Sequence, residues 1–329
     1  MQVLSQIDQL FQINPDTEFN AFALKIFHYQ YANNVVYHQY VNFHLKSSAI
    51  KNINHYSQIP FLPIEFFKTF DVLCKDQHID QSFVSSGTTG ELTSRHMVAN
   101  LNIYEESFNK SFNLFFGNPK DYMILALLPS YLEREGSSLI YMAEKLIEQS
   151  QYSSSGFYLD NYDELIQTLN DPNKPPTILL GVTFALLELA EKYKPDLSGV
   201  IVMETGGMKG RRKEIIREEL HQILCSKFNV DQIYSEYGMT ELLSQAYSTG
   251  KGIFKTPPWM KILIRDTNDP KTIFSGQQSG GINIIDLANI YSCSFIATQD
   301  LGKLYTDGSF EVLGRFDTSD IRGCNLLVT

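Results

Sequence analysis

Residues 83–96 read FVSSGTTGELTSRH, an apolar pair followed by small hydroxyl residues hinged on two glycines. The loop Ser85, Ser86, Gly87, Thr88, Thr89 and Gly90 offers backbone N–H groups and hydroxyls close together. Such a loop is an anion nest that needs no lysine. Its glycines let the backbone come close to phosphate oxygens, because no Cβ intervenes. No Lys follows Gly90, so the G-x-x-x-x-G-K-[ST] phosphate loop is not satisfied. A solvent-exposed turn has the same composition, and the loop alone does not decide between the two.

The elements around it are those of an α/β protein. YMILALLP (122–129), TILLGV (177–182) and GVIVMETGG (199–207) are continuous apolar runs, as expected of strands buried on both faces. GSSLIYMAEKLIEQ, TFALLELAEKY and RRKEIIREELHQIL alternate with them as helices, the last with Ile216, Leu220, Ile223 and Leu224 on one stripe. Strands alternating with helices argue for a mainly parallel sheet. Ligands of open α/β sheets sit beyond the carboxyl ends of the strands, and the strand ends here carry SSGTTG, TGG and YGMTE.

Before residue 80 the chain reads as aromatic-rich helices, FNAFALKIFHYQYANNVVYHQYVNFH, which bury more than one face. IPFLPIEFFKTF follows as an ordered connector, broken by Pro60 and Pro63 and anchored by phenylalanines. After residue 250 come short strands and turns: MKILIRD, GGINIIDL and GKLYTDGSFEVLGR, the last with a hairpin signal at Asp307-Gly308.

Bulk properties narrow the classes. The 329 residues are 43% hydrophobic and 19% charged, an ordinary globular composition with room for a sizeable core. A formal net charge of −10 argues against nucleic acid or an anionic membrane surface as partner. The N-terminus MQVLSQIDQLFQINP has no basic region followed by an apolar core, and no apolar run reaches the ~18 residues of a membrane span. Cys74, Cys225, Cys293 and Cys324 lie far apart, without disulfide or metal-ligand spacing, which fits a reduced, cytoplasmic setting. The seven histidines form no H-E-x-x-H.

Two more patches complete the pattern. YSEYGMTE (234–241) groups Tyr237, Gly238, Met239, Thr240 and Glu241, and TQDLGKLYTDGSFEVLGRFDTSDIRG (298–323) places Asp300 before a hairpin and Arg315 after it. In this order, across roughly residues 80–324, the three patches resemble those of the acyl-adenylate-forming superfamily of acyl-CoA ligases and luciferase-type enzymes. The resemblance implies a fold: the large N-terminal domain of that superfamily, with α/β layers and mixed sheets, a helical N-terminal region and a small β-rich C-terminal part. It also implies ATP and Mg²⁺ as cofactors. The loop Ser85–Gly90 would hold the β- and γ-phosphates, with Thr88 and Thr89 as its main side-chain donors. Glu241 would hold Mg²⁺, and Thr240 would donate to the α-phosphate. Tyr237 with its neighbours Gly238 and Met239 would lie near the adenine, which Gly206 and Gly207 would border. Asp300 would accept from both ribose hydroxyls, and Arg315 would steady ribose or phosphate.

Each residue also has a plain alternative. Glu241 suits the first turn of a helix, Asp300 suits a turn cap, and Arg315 could pair with Asp317 or Asp320. The cluster Lys209, Arg211, Arg212 and Lys213 suits a solvated helix start, a bound anion or an acidic partner. His96 either faces the acyl carboxylate or is a satisfied structural histidine.

IPFLPIEFFKTF, SSGTTGELTSRH, LLPSYLEREGSSLIYMAEKL and IRGCNLL resemble, more narrowly, the LuxE-type acyl-protein synthetases, or long-chain-fatty-acid–luciferin-component ligases. That family implies a fatty acid substrate, acyl transfer to a cysteine near the C-terminus, and an acyl-accepting reductase-type or carrier partner protein. Cys324 fits that position, with Arg322 close enough to favour its thiolate. The expected layout is a helical region packed on the core (1–79), a nucleotide-binding core (80–250), a β-rich subdomain (251–314) and a hinge-like tail (315–329). The mobile C-terminal lid domain of the superfamily, with its lysine, is expected to be absent. A partner protein, Lys209 or Lys303 would then supply that charge. An acyl-CoA or aryl-CoA ligase of the phenylacetate type and an inactive nucleotide-binding scaffold are the alternatives.

Overall fold

The computed structural model of the chain describes residues 7–85, 92–128, 136–159, 161–206 and 215–316. Ser86, Gly87, Thr88, Thr89, Gly90, Gly207, Lys209, the basic run 211–213, and Asp317, Asp320, Arg322 and Cys324 lie outside them.

The chain opens with helices α1 (Ile7–Leu10), α2 (Phe19–Asn33), α3 (Val35–His44) and α4 (Ser47–Lys51). The aromatic run breaks at Asn34, whose extended backbone lets its side chain accept from the Tyr37 N–H and cap α3. Strand β1 (Leu62–Pro63) and the single turn α5 (Phe66–Thr69) follow, with Phe61 and Phe67 buried. Next come the hairpin strands β2 (Gln81–Val84) and β3 (Arg95–Val98), helix α6 (Leu101–Phe116), β4 (Met123–Leu127), α7 (Ser138–Gln149), β5 (Gly156–Phe157) and α8 (Tyr162–Leu169). The α/β run continues as β6 (Thr177–Gly181), α9 (Thr183–Lys192), β7 (Val200–Thr205), α10 (Arg217–Phe228) and β8 (Tyr234–Tyr237). Strands β9 (Ala246–Ser248), β10 (Ile253–Lys255), β11 (Met260–Arg265), β12 (Ser279–Asp286), β13 (Phe295–Leu304) and β14 (Phe310–Arg315) complete it.

Twelve of the described strands form one sheet, in the order β11-β12-β13-β14-β10-β9-β8-β7-β6-β4-β5, with β1 beside β13. The portion β5-β4-β6-β7-β8 is parallel, and pairing turns antiparallel between β8 and β9. Every residue of β4 and β6 is buried, as their unbroken apolar sequences require. Successive residues of β7 face opposite sides: Glu204 meets Arg217 of α10, while Thr205 meets Glu236 of β8. Tyr247, opposite Glu236 in β9, packs on Phe115 and Phe116 of α6, so α6 and α10 cover opposite faces.

Helix α10 departs from expectation at its start. It begins at Arg217, and Ile216 is 68% exposed rather than on the buried stripe. The buried stripe is Leu220, His221, Leu224 and Phe228, and Asn229 closes the helix in the left-handed conformation.

The antiparallel half curls. The Tyr237 hydroxyl of β8 reaches Asp300 of β13, although β9, β10 and β14 separate the two strands in the sheet. Tyr237, Phe254 and Phe310 fill the curl, with ring centroids 5.4–5.8 Å apart. Each such pair adds roughly 0.5–1.5 kcal/mol beyond its area.

Candidate active site

The hairpin β2–β3 positions the hydroxyl-rich loop by its neck. Ser85 N–H donates to the Ser94 carbonyl at 2.9 Å, and the Ser85 hydroxyl accepts from Ser94 N–H at 2.8 Å. The Val84 N–H donates to the Gly136 carbonyl, fixing the stem to the segment before α7. A cleft of about 210 Å³ opens beside this stem, lined by Lys68, Thr69, Asp71, Thr93 and Arg95, among others. Arg95 is ion-paired with Asp71.

The segment 238–241 leaves the carboxyl end of β8 and turns back through a Leu242 N–H bond to the Met239 carbonyl. It is fixed by buried polar groups. Asp286, at the end of β12, accepts from the N–H groups of Leu243 and Ser244 and from the Ser244 hydroxyl. Asn289 Nδ2 donates to the carbonyls of Glu241 and Cys293. His96 Nδ1 lies 2.8 Å from the Thr240 carbonyl, and its Nε2 lies 3.0 Å from Asn289 Oδ1. Burial pushes this imidazole down to about 4, against the pull of those two bonds. His96 is therefore structural: it ties the loop hairpin to the 238–241 turn and faces an acceptor oxygen at each ring nitrogen, one of which the single N–H of a neutral imidazole serves.

Glu241 is 5% exposed. Burial raises its carboxyl above the usual range, and the Ser94 hydroxyl, Arg315 and Lys68 oppose that rise. Among the described residues no group of three or more His, Cys, Asp and Glu stands close enough to hold a metal by itself. A lone carboxylate of this kind suits Mg²⁺, which is commonly held by one or two carboxylates together with phosphate oxygens and waters.

On the curled half, Asp300 and Arg315 are cross-strand partners. The register slips between Leu301 and Gly302, and Gly314 takes a φ of 146° at that bulge, a conformation that favours glycine. This sets the Arg315 Nε 3.5 Å from Asp300 Oδ1 while the guanidinium stays 72% exposed. Asp300 Oδ2 accepts from Tyr237 at 2.8 Å. Burial raises the Asp300 carboxyl, and the Tyr237 bond and Arg315 work against it. Arg315 thus pairs with Asp300 and with Gln299. Gly206 is exposed at the end of β7, where an added Cβ would meet nothing. Met239 and Thr240 are half-buried beside it in the sheet order, on the turn that leaves β8. Lys303 lies over the Tyr305 ring.

Several supporting residues carry no sequence motif. Glu204 is 2% exposed and bonds Arg217 at 3.1 Å, with His221 Nε2 3.7 Å away. Burial works to raise its carboxyl, but His221 and Arg217 outweigh it and hold it below the usual range. Arg217 also donates to the Val312 carbonyl and lies over Phe254, so it braces the curl beneath Asp300. The available signal was an acid ending an otherwise apolar strand, as in VIVMET and GGINIID.

No family model and no curated protein matches the chain. Solved structures do. An open conformation of 2-hydroxyisobutyryl-CoA ligase in complex with 2-HIB-AMP and CoA superposes with a TM-score of 0.67 at 13% identity, over 92% of this chain and 70% of that one. ATP-bound MatB from Rhodopseudomonas palustris gives 0.55 at 16% identity, over 74% and 50%. The luciferase-like enzyme of the nonluminescent mealworm Zophobas morio gives 0.51 at 18%, over 76% and 61%. The chain thus spans half the length of the MatB structure. The likeness is one of fold: the expected α/β architecture is shared with these ligase and luciferase-like structures.

Proposed function

We propose that the chain activates a carboxylic acid with ATP as an acyl-adenylate and passes the acyl group to a thiol. The observation that carries this is the bracing of three separate segments against one another. His96 ties the hydroxyl-rich hairpin to Thr240–Glu241, and Tyr237, one strand residue before that turn, ties it to Asp300 and Arg315.

The chemistry follows from the acid's own weakness. A carboxylate repels nucleophiles, and a mixed anhydride with AMP does not. In the first step an acid oxygen forms a bond to the α-phosphorus, the bond from that phosphorus to the bridging oxygen breaks, and pyrophosphate leaves. In the second a thiolate adds to the acyl carbon and AMP leaves with the electron pair. The loop Ser85–Gly90 would hold the β- and γ-phosphates through N–H groups and the Thr88 and Thr89 hydroxyls. Asp300 would accept from the ribose and Arg315 would steady the phosphate side. Gly206, Gly207, Gly238 and Met239 would border the base. Mg²⁺, held by Glu241 with phosphate oxygens, would supply charge neutralisation as pyrophosphate departs. Lys68 and Arg315, whose charges are felt at Glu241, are the chain's own cations for that region.

The finer reading, a LuxE-type acyl-protein synthetase, takes a fatty acid as substrate and Cys324 as acceptor, with onward transfer to a reductase-type or carrier protein. It is supported by the IRGCNLL segment, in which Cys324 stands nine residues past Arg315, and an extended segment of that length reaches at most about 30 Å. A CoA ligase is the second reading, favoured by the 92% coverage of this chain by the 2-hydroxyisobutyryl-CoA ligase fold. Incubation with radiolabelled acid and ATP separates them. Hydroxylamine-sensitive label on the protein, lost in Cys324→Ser while pyrophosphate exchange survives, supports the first. Label only in free CoA supports the second, and ATP binding without pyrophosphate release overturns both.

A further inference from the structure

One face of the β8–β9 ladder carries polar atoms without partners among the described residues. Glu236 of β8 and Tyr247 of β9 stand directly opposite each other there. Tyr247 is 1% exposed, and its hydroxyl has no hydrogen-bond partner among the described residues. Gln245 is 3% exposed, and its Oε1 is likewise unpartnered. Glu236, 8% exposed, is only half satisfied: its Oε2 accepts from the Thr205 hydroxyl at 2.5 Å, and no bond among the described residues reaches Oε1. The neighbouring Tyr104 hydroxyl is spent on the Ser138 carbonyl.

The three groups lie on one face: Glu236 is paired with Tyr247, and Gln245, two residues before Tyr247, points to the same side. A Cβ built on Gly238 would collide with Glu236 Oε1 and come within 3.3 Å of Gln245 Cγ. Glycine at 238 therefore lets the Glu236 carboxylate and the Gln245 side chain lie close over its backbone, one residue before the Met239–Thr240–Glu241 turn. Buried polar atoms are nearly always paired in folded proteins, so the two buried orphans, Gln245 Oε1 and the Tyr247 hydroxyl, beside the unbonded Glu236 Oε1 mark a missing partner. Their chemistry states what it must offer. Carboxylate and amide oxygens accept, so the partner donates. Burial, with Glu204 adding its charge, pushes the Glu236 carboxyl up to about 7, and no salt bridge among the described residues relieves it.

We infer that Glu236, Gln245 and Tyr247 form a recognition site for a hydrogen-bond donor, a hydroxyl or ammonium group, carried on the acyl part of the acid substrate. The inference rests on the acid-activation reading and narrows it: the preferred acid is a substituted one, not a plain alkanoate. Glu236 and Gln245 read the donor, and Tyr247 supplies the matching hydroxyl. A site built around such a group rejects the analogue lacking it, because the analogue leaves the buried oxygens unpaired again.

The test uses length-matched acids, unsubstituted, hydroxylated or aminated at successive carbons, with the full chain and with Glu236→Leu and Glu236→Gln. ATP-dependent pyrophosphate release is read, and acid binding is read separately by calorimetry without ATP. In the wild type the best substituted acid is expected to exceed its plain counterpart by about 100-fold in kcat/KM and in affinity. That ratio should fall to within roughly threefold in Glu236→Leu. If Glu236→Leu does not fold, Glu236→Gln, which keeps shape and one acceptor, carries the test. Loss of preference for aminated acids there, with hydroxylated ones still preferred, identifies an ammonium site for the charge and a hydroxyl site for the acceptor. A wild type that prefers plain alkanoates, or a preference that neither substitution changes, overturns the inference. Substituted acids that bind preferentially but release no pyrophosphate sink the adenylation reading and leave the donor site standing.

Discussion

The Tyr237 hydroxyl donates to Asp300 Oδ2 across a distance of 2.8 Å, linking two strands that three others separate in the sheet. The bond therefore locks the curl of the antiparallel half and, with it, the position of Arg315. A hydrogen bond to a charged acceptor contributes about 1.5–3 kcal/mol. Tyr237→Phe should lose that amount in urea unfolding and weaken ATP binding by roughly tenfold, read by titration. A stability change under ~0.5 kcal/mol would remove the bond from its bracing role.

Glu241 makes the opposite kind of prediction. Its charge is disfavoured by burial, so Glu241→Gln relieves a cost while keeping shape. The variant should melt at the wild-type temperature or above it. Pyrophosphate release should nevertheless fall at least about 100-fold, the upper end of losses seen for groups that only support a metal. Full activity in a folded Glu241→Gln would withdraw the Mg²⁺ assignment.

Glu236 links the buried face to pH. Its carboxyl sits at about 7 in the fold, whereas an unfolded glutamate titrates near ~4.3. A raised carboxyl gives stability that is fully present below the unfolded value and is lost as pH rises through the folded one. Between pH ~4.3 and ~7 this group should remove on the order of 3 kcal/mol. Glu236→Gln should flatten that fall, measured as urea midpoints at pH 5 and pH 8. An unchanged slope would mean that the carboxyl is solvated in the native protein.

Legibility in the sequence followed chemistry that is local. Strands such as MILAL and TILLG announce themselves because both faces are covered, and the Asp307-Gly308 turn shows because only a few residues suit a positive φ. The three loop patches were visible because their residue types are unusual together. What was not legible depends on contacts far apart in the chain. The bond from His96 to Thr240 spans 144 residues, and the Gln30 bonds to the 289–294 segment span about 260. No period or spacing encodes such pairs. Ile216 misled because an amphipathic pattern continues past the point where the helix starts, and a capping position can leave an apolar residue in water.

The Glu204–Arg217 pair tests whether the site's underside is held by charge. The two are joined at 3.1 Å, with Glu204 almost wholly buried and Arg217 partly so. Removing one partner of a buried pair leaves an uncompensated charge and costs about 3–5 kcal/mol, whereas replacing both by apolar groups is far milder. Arg217→Leu should therefore be the more damaging single change, because His221 at 3.7 Å compensates Glu204 only when protonated. Glu204→Leu with Arg217→Leu should recover much of the loss, giving a double-mutant coupling above ~1 kcal/mol. In the wild type the lowered Glu204 carboxyl gives stability that is present above the unfolded value and is lost as pH falls through the folded one. Acid unfolding midpoints should consequently shift less with pH in the double variant than in the wild type. Strictly additive single losses would instead mean that Arg217 braces the curl through Val312 and Phe254 alone, independently of the carboxylate below it.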